Sequence, residues 1–397
     1  MLVQFTVKNF LSFKSEAILD MTAIGAYKEH SYNLIDIGEK EKYLHVAAIY
    51  GANASGKSNL HIAFSVFQNI IKESMNNVSE SEEKILEKYF MPFAFDEDSS
   101  NTEFEIIVRI QEFEFKYGFE FNDYQIVSEW LYRKSDKTNR NIMIFERENE
   151  EIRFGNSIKN QCAIYKNQIQ QEILLLSFFN KLRLKTNVFK EVYQDISGVL
   201  ALDIDFNEED FVLERYLSEA IDNDKETLMK FIEAIDVGIE DILYEERDEI
   251  KYFFTLHVDK KGEVYPLPLF NESSGTLKSI AIYLIAKIAI QYDKALFVDE
   301  LNIKLHPLLL KFIIDLFYTK TSTAQLIFTT HDTTLLDRKF FRRDQIWFIQ
   351  KDKVGHSELI ALSDFKIRSD ASFEKDYLAG VYGGIPYLKE FTLKEGE

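Results

Sequence analysis

With 397 residues, 46% of them apolar and 14% aromatic, the chain can bury a large core, and its length predicts two lobes rather than one ordinary domain. Its 66 Asp and Glu against 47 Lys and Arg leave a net charge of −19, which argues against coating DNA or RNA by phosphate neutralisation while leaving a local basic groove open. The single cysteine, Cys162, excludes an intrachain disulfide and an all-cysteine metal site and suits a reducing cytoplasm; MLVQFTVKNF alternates like a strand rather than a secretory leader, and no apolar run reaches membrane-span length.

Residues 2–13 and 43–50 (YLHVAAIY) read as strands, the second apolar enough to be buried on both faces. GANASGKS follows at 51–58, then a helix with Leu60, Phe64, Phe67 and Ile71 on its apolar face. The acidic stretch at 76–88 reads as a linker or lid. Period-2 segments from about 89 to 155 (TEFEIIVRI, FEFKYGFEF, QIVSEWLYR, NIMIFERE) predict an antiparallel meander. Residues 160–247 read as mostly helical, and a hairpin is expected at 249–269 around DKKG. LKSIAIYLIAKIAI then sets Leu277, Ile280, Ala281, Leu284, Ile285 and Ile288 on one helical face. KALFVDE (294–300) and AQLIFTTH (324–331) are short apolar strands ending in polar residues, with a helix beginning near His306-Pro307 after the first. DQIWFIQKD (344–352) is one more strand. Buried strands alternating with helices at both ends predict an α/β domain split in sequence. Its N-terminal part is residues 1–75, an insertion spans 76–265, and the C-terminal part is 266–397.

GANASGKS matches G-x-x-x-x-G-K-[ST] between a strand and a helix, the context a phosphate loop requires. Its backbone N–H groups and the helix N-terminus face anionic phosphate, while Gly51 and Gly56 permit the tight path. Lys57 reaches the β- and γ-phosphates and Ser58 supplies a hydroxyl to Mg²⁺. Asn53, Ala54, Ser55 and Asn59 complete the expected nucleotide-binding stretch.

Asp299 and Glu300 close an apolar strand. Near a phosphate loop, the first carboxylate suits the Mg²⁺ shell and the second can accept a proton from an attacking water. His331 ends another strand, where a neutral imidazole can donate to a γ-phosphate. A solvated loop histidine is the plainer alternative, and its place downstream of Asp-Glu favours the first. No pair of histidines has metal-ligand spacing. NESSGTLKS (271–279) reads as a helix start, with Ser273 or Ser274 as cap and Gly275 allowing close approach. Backbone N–H groups and the hydroxyls of Ser274 and Thr276 are then offered to an anion.

Phosphate loop, Ser-Gly helix start, Asp-Glu at a strand end and His after a strand form an order that resembles the ATP-binding-cassette ATPases, more narrowly the SMC and RecF type. With KNFLSFK, GANASGKSN, ESSGT, VDELNIKLHP, TTHD, RRDQIWFIQKD and FEKDYLAGVYGGIPYL, the chain is similar to the RloA/AbiL-like ATPases of phage defence and abortive infection. That resemblance implies a P-loop ATPase head with ATP and Mg²⁺ as cofactors. It assigns Lys57 and Ser58 to phosphate and metal, Asp299 to Mg²⁺, Glu300 to water and His331 to the γ-phosphate. It also implies a head-to-tail homodimer or higher homo-oligomer, in which Ser274, Gly275 and Thr276 meet the other subunit's nucleotide. Leu301 and Asn302 match the loop that couples the two sites, but Asn302 and Lys304 depart from the acidic residue and serine expected there. No glutamine of NQCAIYKNQIQQ is assignable to Mg²⁺. The function implied is a cytoplasmic sensor that controls a separate effector, a nuclease or toxin. The alternatives are a DNA-repair or DNA-maintenance ATPase and an ATP-dependent nuclease.

Overall fold

Two sheets of opposite character frame one helix. The computed structural model describes residues 1–38, 41–75, 84–95, 101–135, 140–203, 208–235, 238–368 and 371–385. The first sheet is antiparallel and seven-stranded. It joins β1 (Leu2–Lys8) and β2 (Ala17–Asp20) to the meander β6 (Thr102–Ile110), β7 (Phe113–Phe121), β8 (Ile126–Ser135), β9 (Asn141–Glu148) and β10 (Glu151–Phe154), in the order β10-β9-β8-β7-β6-β1-β2. The meander expected from period-2 alternation is therefore present, and it lengthens the sheet that β1 begins. A small ribbon of β3 (Leu34–Ile35) and β4 (Tyr43–Leu44) lies before the second sheet.

The second sheet has the order β11-β15-β16-β5-β17-β18, built from β5 (Val46–Tyr50), β11 (Leu200–Asp203), β15 (Ala295–Asp299), β16 (Gln325–Thr330), β17 (Ile346–Lys351) and β18 (Ser357–Ala361). All its pairings are parallel except β17 with β18. Strand alternation divides its side chains between two cores. Ala47 and Ile49 pack with α1 (Lys57–Glu73) and the antiparallel sheet, whereas Val46, Ala48 and Tyr50 face α6 (Glu208–Ile235), α7 (Ser274–Gln291), α8 (Pro307–Asp315) and α9 (Phe373–Leu378). Both faces are covered, which is why VAAIY reads as an unbroken apolar run. Helix α1 buries Leu60, Phe64, Phe67 and Ile71, as its period predicts; Phe64 meets Phe5 at 4.9 Å and Phe67 stacks on Phe119 at 5.5 Å. These contacts fix the helix, and hence the loop before it, against the first sheet.

Several expectations need correction. The stretch 160–247 is mostly helical as expected, with α3 (Lys159–Cys162), α4 (Leu175–Lys181), α5 (Val188–Ser197) and α6, but it also holds β11, an edge strand of the parallel sheet, and β12 (Asp241–Arg247). The hairpin at 249–269 is present as β13 (Ile250–Val258) and β14 (Val264–Pro268), and β12 makes it three-stranded. Helix α7 is buried on nearly every side, Ile282, Tyr283 and Ala286 included, because it lies between the sheet and α6; one apolar face does not describe it. Of the linker or lid at 76–88, residues 76–83 lie outside the described residues and α2 (Ile85–Tyr89) follows. No helix among the described residues is long and apolar enough to cross a membrane.

Candidate functional site

Parallel strands deliver their C-terminal ends to one edge of a sheet, and ligand sites of α/β folds form there. Strand β5 ends at Tyr50, and the chain must then turn sharply to start α1. A Cβ on Gly51 would stand 2.7 Å from the Ile349 carbonyl oxygen, so the close approach requires glycine. Gly56 caps α1 with φ +113°, where a Cβ would meet Ser357 Oγ at 2.5 Å and Ser12 Oγ at 2.7 Å. Those two serines are structural partners of the loop: Ser357 Oγ donates to the Ser55 carbonyl at 2.6 Å, and Asn59 Nδ2 donates to Ser12 Oγ at 2.7 Å.

Lys57 is 4% exposed, and its ammonium donates to the carbonyls of Gly51 at 3.0 Å and Ala52 at 3.2 Å. Burial pulls its pKa below the ordinary lysine value, and the Glu300 and then the Asp299 carboxylates push it back up. A buried cation held by carbonyl dipoles beside two acids is a ready anchor for an anion.

Asn53, Ala54, Gly56, Lys57, Ser58 and Asn59 line one cleft of about 420 Å³ together with Glu300, His331 and Lys351. Gly51 and Ser55 are buried in the loop behind it. Asp299, 7% exposed, is tied to Thr329, whose hydroxyl donates to Asp299 Oδ1 and accepts the Glu300 N–H at 2.8 Å. Glu300 adopts φ +47°, a left-handed conformation that turns the chain out of β15 and is held by that hydrogen bond. His331 is exposed, with Nε2 3.3 Å from Asn302 Nδ2, and Asn302 Oδ1 accepts from Thr330 Oγ1 at 2.8 Å. Asn302 thus lies beside the histidine, while Leu301 is buried and donates its N–H to the Thr329 carbonyl at 3.1 Å. No group of three or more His, Cys, Asp or Glu able to hold a metal occurs among the described residues. The donors at hand, the exposed Ser58 hydroxyl and the Asp299 carboxylate, suit a hard cation that completes its shell with phosphate and water.

Ser274, Gly275 and Thr276 do not join this cleft. Ser273 is the cap of α7, its Oγ accepting from the Thr276 N–H at 3.1 Å. Thr276 departs from expectation: 7% exposed, its hydroxyl lies 2.8 Å from Ser273 Oγ, so it serves the cap rather than an outside anion. Ser274 is exposed. At Gly275 a Cβ would stand 2.9 Å from the Lys304 carbonyl oxygen, so the glycine makes room for this chain's own backbone. The Lys278 ammonium reaches the Glu300 carbonyl at 3.3 Å, fastening α7 to the loop that follows β15.

Sequence reasoning missed Lys351, Thr329 and the Ser12–Ser357 brace. Lys351 ends an apolar strand as Glu300 and His331 do, but only the sheet order puts that strand beside β5.

Residues 46–337, well over half of the chain, match the family model described as "AAA domain, putative AbiEii toxin, Type IV TA system". No curated protein matches. Among solved structures the chain is similar to the SMC head domain from Thermotoga maritima, at 14% identity and TM-score 0.42, covering 92% of this chain and 99% of that one. It is also similar to an Smc head bound to the C-winged helix domain of ScpA, at 17% identity and TM-score 0.45 over 94% and 99% of the two chains. An Smc head with an extended coiled coil bound to the C-terminal domain of ScpA, derived from Pyrococcus furiosus, gives 14% identity and TM-score 0.41 over 96% and 99%.

Proposed function

The chain belongs to the AAA-domain family that the AbiEii and type IV toxin–antitoxin description covers, and on that premise we propose that it binds and hydrolyses ATP as a head-to-tail dimer and regulates a separate effector in abortive-infection defence. One observation carries the ATPase reading: three neighbouring parallel strands deliver a phosphate loop, a carboxylate and a histidine to one cleft.

Each group has a task there. The loop N–H groups and the α1 N-terminus hold the phosphate chain. Lys57 meets the β- and γ-phosphates, exchanging its carbonyl partners for phosphate oxygens. Ser58 and Asp299 would hold Mg²⁺, which when bound neutralises charge developing on the phosphates. Glu300, held by Thr329, accepts the proton of the attacking water, and His331 donates to the γ-phosphate.

The dimer reading rests on Ser274 and Gly275. They form the start of an 18-residue helix, Ser274 exposed and Gly275 half-buried, outside their own chain's cleft, and on this reading the anion they meet belongs to a second copy. Nucleotide then favours the closed pair, and hydrolysis removes that preference. The family description names a toxin–antitoxin system, which supports the defence role; on this reading the effector it regulates is a separate chain, a nuclease or toxin.

Two substitutions test the core. Glu300→Gln should keep ATP binding, accumulate an ATP-bound dimer in size-exclusion chromatography with mass detection, and lose about a hundredfold or more in turnover. Unchanged turnover would remove Glu300 as the base. Lys57→Ala should abolish nucleotide binding, and full-affinity binding would move the site elsewhere.

A further inference from the structure

The cleft contains one cation to which the motifs assign no task. Lys351 closes β17, which flanks β5 on the side away from β16, and its side chain lines the same cleft as Lys57, Glu300 and His331. Register puts it there. Phe348 pairs with Tyr50, so Lys351 stands three residues beyond the last residue of the P-loop strand, about 10 Å further along the sheet. Parity directs it: Trp347 and Ile349 face the core that contains α1, and Lys351 shares their alternation.

Its neighbours leave the charge available. The Asp352 carboxylate accepts from the N–H groups of Val354 and His356 at 2.8 and 2.9 Å, and Glu358 accepts from Gln350 Nε2 at 3.2 Å. Among the described residues no carboxylate forms an ion pair with Lys351, whereas Lys57 is already engaged by two carbonyls. Gly355, at φ +96°, turns the chain back into β18, and a Cβ there would lie 3.7 Å from Lys351 Cε, so the tight turn runs alongside the lysine stem.

The position along the loop decides what Lys351 meets. Asn53 and Ala54 line both this cleft and the hollow on the loop's other flank, and Lys351 lines both as well. It therefore stands at the apex of the loop, while Ser58 and Asn59 lie at the helix start. In a phosphate loop the backbone and helix start cradle the inner phosphates, so a cation at the apex faces the outermost one.

We propose that Lys351 is a phosphate-binding residue that contacts the terminal phosphate of the bound nucleoside triphosphate and sets the preference for triphosphate over diphosphate. This rests on the nucleotide reading of the cleft and adds to it a second ammonium, supplied by the same chain from the strand opposite His331. When the terminal phosphate leaves, Lys351 loses its partner while Lys57 keeps the β-phosphate.

The test is equilibrium binding of Mg²⁺-AMP-PNP and Mg²⁺-ADP to the full-length chain, its Lys351→Met and Lys351→Arg variants, and Lys57→Ala. A charge-assisted hydrogen bond predicts that Lys351→Met weakens AMP-PNP about tenfold or more, leaves ADP within about twofold, and is largely rescued by Arg. Equal weakening of both nucleotides, or no change in either, overturns the assignment to the terminal phosphate. If Lys57→Ala binds both nucleotides as tightly as the parent chain, the nucleotide site itself is misplaced and the role of Lys351 falls with it. A parent chain that binds neither nucleotide overturns both assignments in the same way.

Discussion

Replacing Thr329 by Val probes the joint on which the Asp299–Glu300 pair depends. The hydroxyl is fully buried, donates to Asp299 Oδ1 and accepts the Glu300 N–H at 2.8 Å, and valine preserves the shape while removing both bonds. A hydrogen bond to a charged acceptor contributes about 1.5–3 kcal/mol, and a buried N–H left unpaired costs about 1–3 kcal/mol, so Thr329→Val should destabilise by about 2.5–6 kcal/mol. That is a large share of the roughly 5–15 kcal/mol that holds a folded domain. Glu300 also loses the tether on its left-handed backbone, and misplacement of about 1 Å at a reacting group costs on the order of a hundredfold. Urea unfolding followed by tryptophan fluorescence reads the first effect, and ATP turnover with separately measured ATP affinity reads the second. The expected pattern is lower stability and turnover with affinity nearly intact. Thr329→Ser, which keeps the hydroxyl, should restore most of both. If Ser behaves like Val, methyl packing rather than hydrogen bonding holds the joint, and the reasoning fails.

Gly56→Ala should destroy nucleotide binding, since its Cβ would overlap Ser357 Oγ and Ser12 Oγ in a left-handed conformation; calorimetric titration with ATP showing normal affinity would contradict this. Ser274→Arg should leave ATP binding by the monomer intact and prevent ATP-induced dimerisation, which light scattering would report; normal dimerisation would return the segment to a simple helix cap. Glu129 is fully buried, accepting from the Leu175 and Leu176 N–H groups and the Tyr117 hydroxyl, and burial pushes its carboxyl up to about 7. Because the folded state then holds the proton more tightly than the unfolded chain, its contribution to stability is full below about pH 4.5 and is lost as pH rises towards 7. Glu129→Gln should therefore flatten the fall in urea midpoint between about pH 5 and 7 relative to the parent chain, and identical slopes would refute the assignment.

The phosphate loop, the Asp-Glu pair, the histidine and the Ser-Gly helix start were all readable from the chain, because each is a local pattern. A tight turn needs glycine, a strand buried on both faces needs an apolar run, and a helix start needs a cap. Period-2 alternation likewise revealed the meander, and Pro307 marked the start of α8. What residue order left undecided was partnership. That LALD at Leu200–Asp203 joins the parallel sheet, that β1 pairs with β6 about a hundred residues away, and that Thr276 turns inward to its own cap all follow from contacts between distant segments. Lys351 is the clearest case. As a residue it is one of many lysines after an apolar strand, and it becomes part of the cleft only because β17 pairs with β5. Sequence alone determined which groups stand in a phosphate-loop pattern or at a strand end; the order and register of the parallel sheet decided which of them face the same space, because hydrogen-bonded pairing fixes neighbours that chain distance does not.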